Sequence, residues 1–172
     1  MSGGIILAER ATSDIDTPAA GKINIFPDSA ASDALSWKDS SGTVHRLVDT
    51  SRTITLAIPW VVDGGGVVIT TGIKGELEIP FACTVTGWKV FLDQSGSIVF
   101  DIWKDTYANY PPTGADTITA SAKPTVSSAT KASGSPTGWM TSIAAGDILR
   151  FNVDSISTAT RALLSLTATR TI

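Results

Sequence analysis

An all-β fold, an antiparallel β-sandwich of jelly-roll-like type, is what the sequence predicts, and three observations predict it. Apolar residues recur at every second position in five or more segments, the spacing of strands with one buried face. No segment sustains a 3.6-residue period, and polar turns interrupt the apolar runs at intervals of roughly ten residues, as in sandwiches and jelly rolls. Charged residues make up only 17% of the 172, against the usual quarter. Ser, Thr, Gly and Asn must therefore cover much of the surface. The 42% of hydrophobic residues is enough for a packed core and argues against global disorder.

Residues 1–50 predict an N-terminal arm followed by a small β-module, and the arm, residues 1–20, reads either as a flexible terminus or as an extended segment that buries its apolar side chains against something else. The arm carries Ile5, Ile6 and Leu7 in a segment too broken by Gly and Pro to form its own core. Gly21 opens a strand with Ile23, Ile25 and Phe26 that Pro27 and Asp28 close. Ala34 to Lys38 and Thr43 to Leu47 flank Asp39-Ser40-Ser41-Gly42, which reads as a hairpin with turn residues in place. So small a module needs something to pack on.

Residues 51–172 predict the sandwich. Thr53 to Val62 alternates, and Pro59 within it calls for an edge strand. Asp63-Gly64-Gly65-Gly66 is a turn, and Val67 to Thr71 reads as a strand former after it. That order excludes a phosphate loop, which needs a helix there. Glu76 to Phe81 alternates again. In 84–105, Trp88, Val90 and Leu92 precede Asp-Gln-Ser-Gly-Ser, and Ile98, Phe100 and Ile102 follow it. This predicts a long central hairpin that turns at Gly96 with positive φ. Residues 106–136, rich in Thr, Ser, Ala and Pro, read as short strands or a loop anchored by Ile118 and Val126. Leu149, Phe151 and Val153, then Leu164 and Leu166, mark the last strands. Phe100 and Phe151 are expected to face inwards.

The chemistry-bearing residues argue against catalysis. The single histidine, His45, lies in the small hairpin, and its alternation with Val44 points it to solvent. No GxSxG elbow marks a serine nucleophile. Asp93, Asp101 and Asp105 could supply a glycosidase-type pair, and Asp63, Asp105 or Asp116 a cation site. Nothing in their spacing separates them from surface acids, so no catalytic, metal or cofactor residue is assigned. The one cysteine, Cys83, sits among Phe81, Ala82 and Val85 and reads as a buried apolar thiol. The net charge of −3 and the lack of a Lys/Arg cluster exclude the electrostatic footprint of nucleic-acid binding. The apolar run from Ile5 to Ala8 is too short for a signal peptide, and no stretch reaches the ~20 apolar residues of a membrane span. Synthesis in a cytoplasm is expected. Trp103, Tyr107 and Tyr110 cluster beside Asp105 and Asn109, a composition suited to stacking on a sugar or to packing a loop on the sandwich.

Three stretches carry a family resemblance: GELEIPF at 75–81, SGSIVFDIWKDTYANYPP at 95–112 and GDILRFNVDS at 146–155. With their surroundings, about 100 residues in all, they resemble a domain of tailed-bacteriophage virion proteins, including tail-fibre and other appendage proteins. The upstream TPAAGKINIFPDS and LSWKDSSGTVHRL look like the short module that precedes such domains. The resemblance implies a non-enzymatic structural protein of the virion; the short chain, with no long shaft, narrows this to a head decoration, short head fibre or small tail appendage, and the apolar Ile5, Ile6 and Leu7 are expected to hold it on capsid or tail proteins. It implies a homo-oligomer, with a trimer expected. The alternative it leaves is a receptor-binding module that takes a host-surface glycan on Trp103, Tyr107 and Tyr110.

Overall fold

The computed structural model describes residues 11, 13, 15–28, 34–46 and 52–171. They form two compact units that divide between Arg52 and Thr53.

The N-terminal unit is a three-stranded antiparallel sheet of β1 (Asn24–Asp28), β2 (Ala34–Lys38) and β3 (Val44–Arg46), in that order. Asp39 builds the β2–β3 turn. Its Oδ1 accepts the backbone N–H of Ser41 and of Thr43, each at 2.9 Å, and its Oδ2 lies 2.9 Å from His45 Nε2. Hydrogen bonds from Ser41 and His45 hold the Asp39 carboxyl well below the usual range. The stretch before β1 is tied to the sheet, with Lys38 Nζ donating to Ile15 O at 2.7 Å and Asn24 Nδ2 to Asp16 O at 2.9 Å.

The larger unit is the expected all-β sandwich, made by folding one antiparallel sheet on itself. Its strands are β4 (Thr53–Asp63), β5 (Gly72–Ile79), β6 (Cys83–Asp105), β7 (Thr125–Gly134), β8 (Ser142–Ile143), β9 (Asp147–Ser157) and β10 (Arg161–Thr171). The order is β4-β10-β6-β9-β5, with β7 and β8 also on β6. The register explains this order. The first half of β6 pairs with β10 and the second half with β9. β4 pairs with β10 and β5 with β9. So β4–β5 and β9–β10 are each two strands laid end to end, and a crease crosses the sheet at 64–71, 93–97 and 158–160. The two halves close face to face: Trp60 on β4 stacks on Phe151 of β9 at 4.7 Å. Gly75 on β5 lies against the same indole, where a Cβ would come within 2.7 Å of Trp60 Cζ2. Only glycine fits there, and its φ of +125° is likewise glycine territory. Phe100, Phe151, Leu149, Leu164 and Leu166 are fully buried between the halves, as their alternation predicts. β4 lies at an edge, where Pro59 removes no ladder bond.

Two expectations are corrected. Residues 84–105 lie within one 23-residue strand, Cys83–Asp105, and are not a hairpin. The polar run 93–97 is the crease, and it bonds to the β9–β10 link instead of turning. Thr160 N donates to Asp93 Oδ1 at 3.1 Å, and Thr158 Oγ1 donates to Ser95 O at 2.8 Å. Gly96 does not have positive φ; it is needed because a Cβ there would come within 2.6 Å of Ser157 O. Residues 67–71 are not a strand either. They cross the same crease, and Ile69 alone of the three apolar residues is buried, with its N–H on Ala159 O at 3.0 Å.

Candidate functional site

The second half of β6 presents Asp101, Trp103 and Asp105 on its outer face, opposite the buried Phe100 and Ile102. Residues 106–124 cross this face. Asp101, almost fully buried, is what holds them there. It accepts from five donors: Ile102 N–H, Trp103 Nε1–H, the Thr117 and Thr119 hydroxyls, and Lys123 Nζ at 2.9 Å. Burial alone would raise its pKa; the bonds from Thr117, Thr119, Trp103 and Lys123 outweigh that and hold it below the usual range. Lys123 also reaches Asp154 Oδ2 at 2.7 Å. Asp154, and then Asp101, raise its own pKa.

A cross-strand row completes the floor. Glu76 on β5 faces Arg150 on β9, which faces Trp103 on β6, which bridges to Thr117. Arg150 binds Glu76 at 2.7 Å, donates to Pro112 O at 2.9 Å and lies 5.8 Å from the Tyr110 ring. Trp103 is half-buried, and a Cβ on Gly114 would touch its ring at 3.7 Å. Trp103 is thus the floor beneath the loop. Tyr107 and Tyr110 instead reach solvent, 82% and 51% exposed. Asp105 steadies the turn Tyr107–Asn109 by accepting from Thr106 N–H at 2.7 Å and Asn109 Nδ2 at 3.1 Å. Asp116 closes the turn Gly114–Asp116 on Thr113 N–H at 2.7 Å.

The acidic residues are dispersed by these duties. Asp101 and Asp105 lie four residues apart on one strand, about 13 Å, beyond the ~5–10 Å of a glycosidase pair. Asp63 pairs with Arg161 at 2.8 Å, and Asp93 serves the crease. Among the described residues no three His, Cys, Asp or Glu side chains group as a metal site would require. His45 is not simply solvated as expected. Its ring stacks on Trp37 at 4.1 Å, in addition to its bond to Asp39. Cys83 is buried, and burial pushes its thiol pKa up. No helix among the described residues is long and apolar enough to cross a membrane.

Ile5, Ile6 and Leu7 lie outside the described residues. The N-terminal sheet shows another apolar surface that the sequence reading did not single out. Ile25, Trp37 and His45 face one another across its three strands. Leu35, two residues from Trp37 along β2, shares that face, Ile23 lies just before β1, and Ile23, Ile25 and Leu35 are all exposed. Phe26 and Ser36, on the opposite face, are buried. The signal was present in the common odd parity of 23, 25, 35 and 37.

No family model matches the chain, and no curated protein does. Among solved structures, a chain from the structure of infectious bursal disease virus, Gx strain, is similar at 14% identity and a TM-score of 0.30. The similarity covers 74% of this chain and 40% of that one. A likeness this low carries no argument about fold or role.

Proposed function

We propose that this chain is a non-enzymatic structural protein of a bacteriophage virion, a surface decoration or short fibre. In this reading its N-terminal unit attaches to capsid or tail proteins and its sandwich projects. The observation that carries it is the exposed apolar face of Ile25 and Leu35 beside the Trp37–His45 stack, with the exposed Ile23 just before β1. A sheet that buries Phe26 on one side and leaves Ile25 and Leu35 exposed on the other gains by docking, at roughly 1.5–3 kcal/mol per side chain fully covered. The sandwich, with its own closed core, needs no such partner to fold. The phage-type motifs at 75–81, 95–112 and 146–155 support the same role. A homotrimer would turn three weak attachments into one firm one through avidity.

The test is assembly onto particles that lack the native protein, with Ile25→Glu and Leu35→Glu combined. Attachment should fall at least about tenfold, a loss of 1.4 kcal/mol or more, while the thermal unfolding of the sandwich stays unchanged. Wild-type levels of attachment would place the contact elsewhere. The alternative reading, a host-glycan receptor module, is favoured by the exposure of Tyr107 on a loop fixed at both turns. There Tyr107→Ala with Tyr110→Ala should abolish binding on a glycan array; binding that persists removes this surface from consideration.

A further inference from the structure

The larger unit has five lysines, Lys74, Lys89, Lys104, Lys123 and Lys131. Three of them hold acceptors. Lys74 donates to Thr70 Oγ1 at 2.9 Å, and Lys104 and Lys123 close on Asp147 and Asp154, each at 2.7 Å. Lys89 and Lys131 make no ion pair or hydrogen bond among the described residues. Both are exposed, and both line one groove of about 400 Å³ together with Phe91 and Ser133. The strand register shows why these four side chains meet. Lys89 and Phe91 are two residues apart on β6 and so share a face. Ser133 on β7 stands opposite Lys89, and Lys131 stands opposite Phe91. Val90, between them, is fully buried, while Phe91 is 41% exposed, which puts all four on the outer side of the sheet. Lys89 and Lys131 are thus diagonal neighbours across the two strands, with Phe91 beside both.

This constellation fits an anion that carries a flat apolar surface. No carboxylate lines the groove, and Asp93, two residues beyond Phe91, is held by Thr160 N–H at 3.1 Å. The two ammonium groups are therefore free to turn to one guest anion, and the Ser133 hydroxyl can donate or accept beside them. The exposed face of Phe91 offers the C–H side of a sugar ring an aromatic surface to pack on. The groove falls in the ~300–1,000 Å³ of small-ligand sites, whereas a protein partner would need roughly 800 Å² of surface on this side. Beneath it β6 and β7 are paired with each other, so no peptide strand can add to the backbone there and recognition falls to the side chains. We propose that this groove binds an acidic saccharide, with a carboxylated sugar ring on Phe91 and its carboxylate between Lys89 and Lys131. The site uses no residue of the N-terminal sheet or of the Tyr107 loop, so it stands whichever of those surfaces the protein uses.

The test uses the full chain, labelled with nitrogen-15 and titrated separately with trigalacturonate, with neutral galactotriose and with triglutamate, at ionic strength held constant with sodium chloride. The expected result is a saturable shift of the Lys89, Phe91, Lys131 and Ser133 amide resonances with trigalacturonate, in the millimolar range because the lysines are solvated. Galactotriose and triglutamate should shift them far less. Phe91→Ala keeps both charges and should weaken the trigalacturonate response about tenfold. Lys89→Gln with Lys131→Gln keeps the ring and should remove it. The proposal is overturned if trigalacturonate gives no saturable shift in the wild-type chain, a result that needs no variant to fold. It is equally overturned if triglutamate matches trigalacturonate, since the lysines would then take any polyanion, a peptide included. A match by galactotriose overturns it too, since the lysines would then take no part. Because the response is read residue by residue, its failure leaves binding at the Tyr107 loop untouched, and failure at that loop leaves this site untouched.

Discussion

Phe151→Ala is expected to destabilise the larger unit by about 3–5 kcal/mol and lower its melting temperature by roughly 10–20 °C. Phe151 is fully buried, and its ring lies nearly parallel to Trp60 across the two halves of the sandwich, 12° between planes. Truncation removes the transfer energy of the ring and leaves a cavity. That cavity cannot easily collapse, because β9 is held on both sides, by β5 and by β6. The stack on Trp60 goes as well, about 0.5–1.5 kcal/mol beyond the area term. Urea denaturation should show the midpoint falling with the slope unchanged. Phe91, on the outer face of the same sheet, is the control: Phe91→Ala should cost under about 1 kcal/mol. Equal costs for the two would mean that the halves do not face one another as described.

Much of this sandwich is written in its alternation. β4, β9, β10 and the β2–β3 hairpin follow from period two, since each has one face in a core and one in water. The crease does not. The run Asp93 to Ser97 has the composition of a turn, and its use as a straight passage depends on Thr158 and Thr160, more than 60 residues away. One local clue existed. Val90, Leu92, Ile98, Phe100 and Ile102 keep the same even phase through the break, as one continuous strand would. Val67 to Thr71 likewise has strand composition, but its Ile69 N–H bonds to Ala159 O in the β9–β10 link and its Val67 N–H back to Gly64 O. At the outer face, Trp103, Tyr107 and Tyr110 were legible as a group, but their division into floor and rim was not. It is set by Gly114 over the indole and by Arg150 beside Tyr110. Asp101 looked like any strand carboxylate, because its partners Thr117, Thr119 and Lys123 become neighbours only when the loop folds back.

That carboxylate gives the second large effect. Asp101→Ala should cost about 3–5 kcal/mol, felt first in residues 106–124. It strands the Thr117 and Thr119 hydroxyls and the Trp103 indole N–H, each worth about 1–3 kcal/mol when left buried and unbonded. Lys123 is less affected, because Asp154 still holds it at 2.7 Å. Asp101→Asn should fall between: its carbonyl can still accept from the threonines, but its amide turns a second donor toward Trp103 and Lys123. The pH dependence has a definite sign. The folded-state pKa of Asp101 lies below the unfolded value of 3.8, because its hydrogen bonds outweigh its burial. Its contribution is therefore fully present above pH 3.8 and is lost as the pH falls through the folded value. In the wild type the Trp103 indole N–H resonance should stay protected from exchange at neutral pH and lose protection only in acid below that value. In Asp101→Asn it should be weakly protected at every pH. Acid loosening of the loop that is identical in the two proteins would assign the latch to another carboxylate.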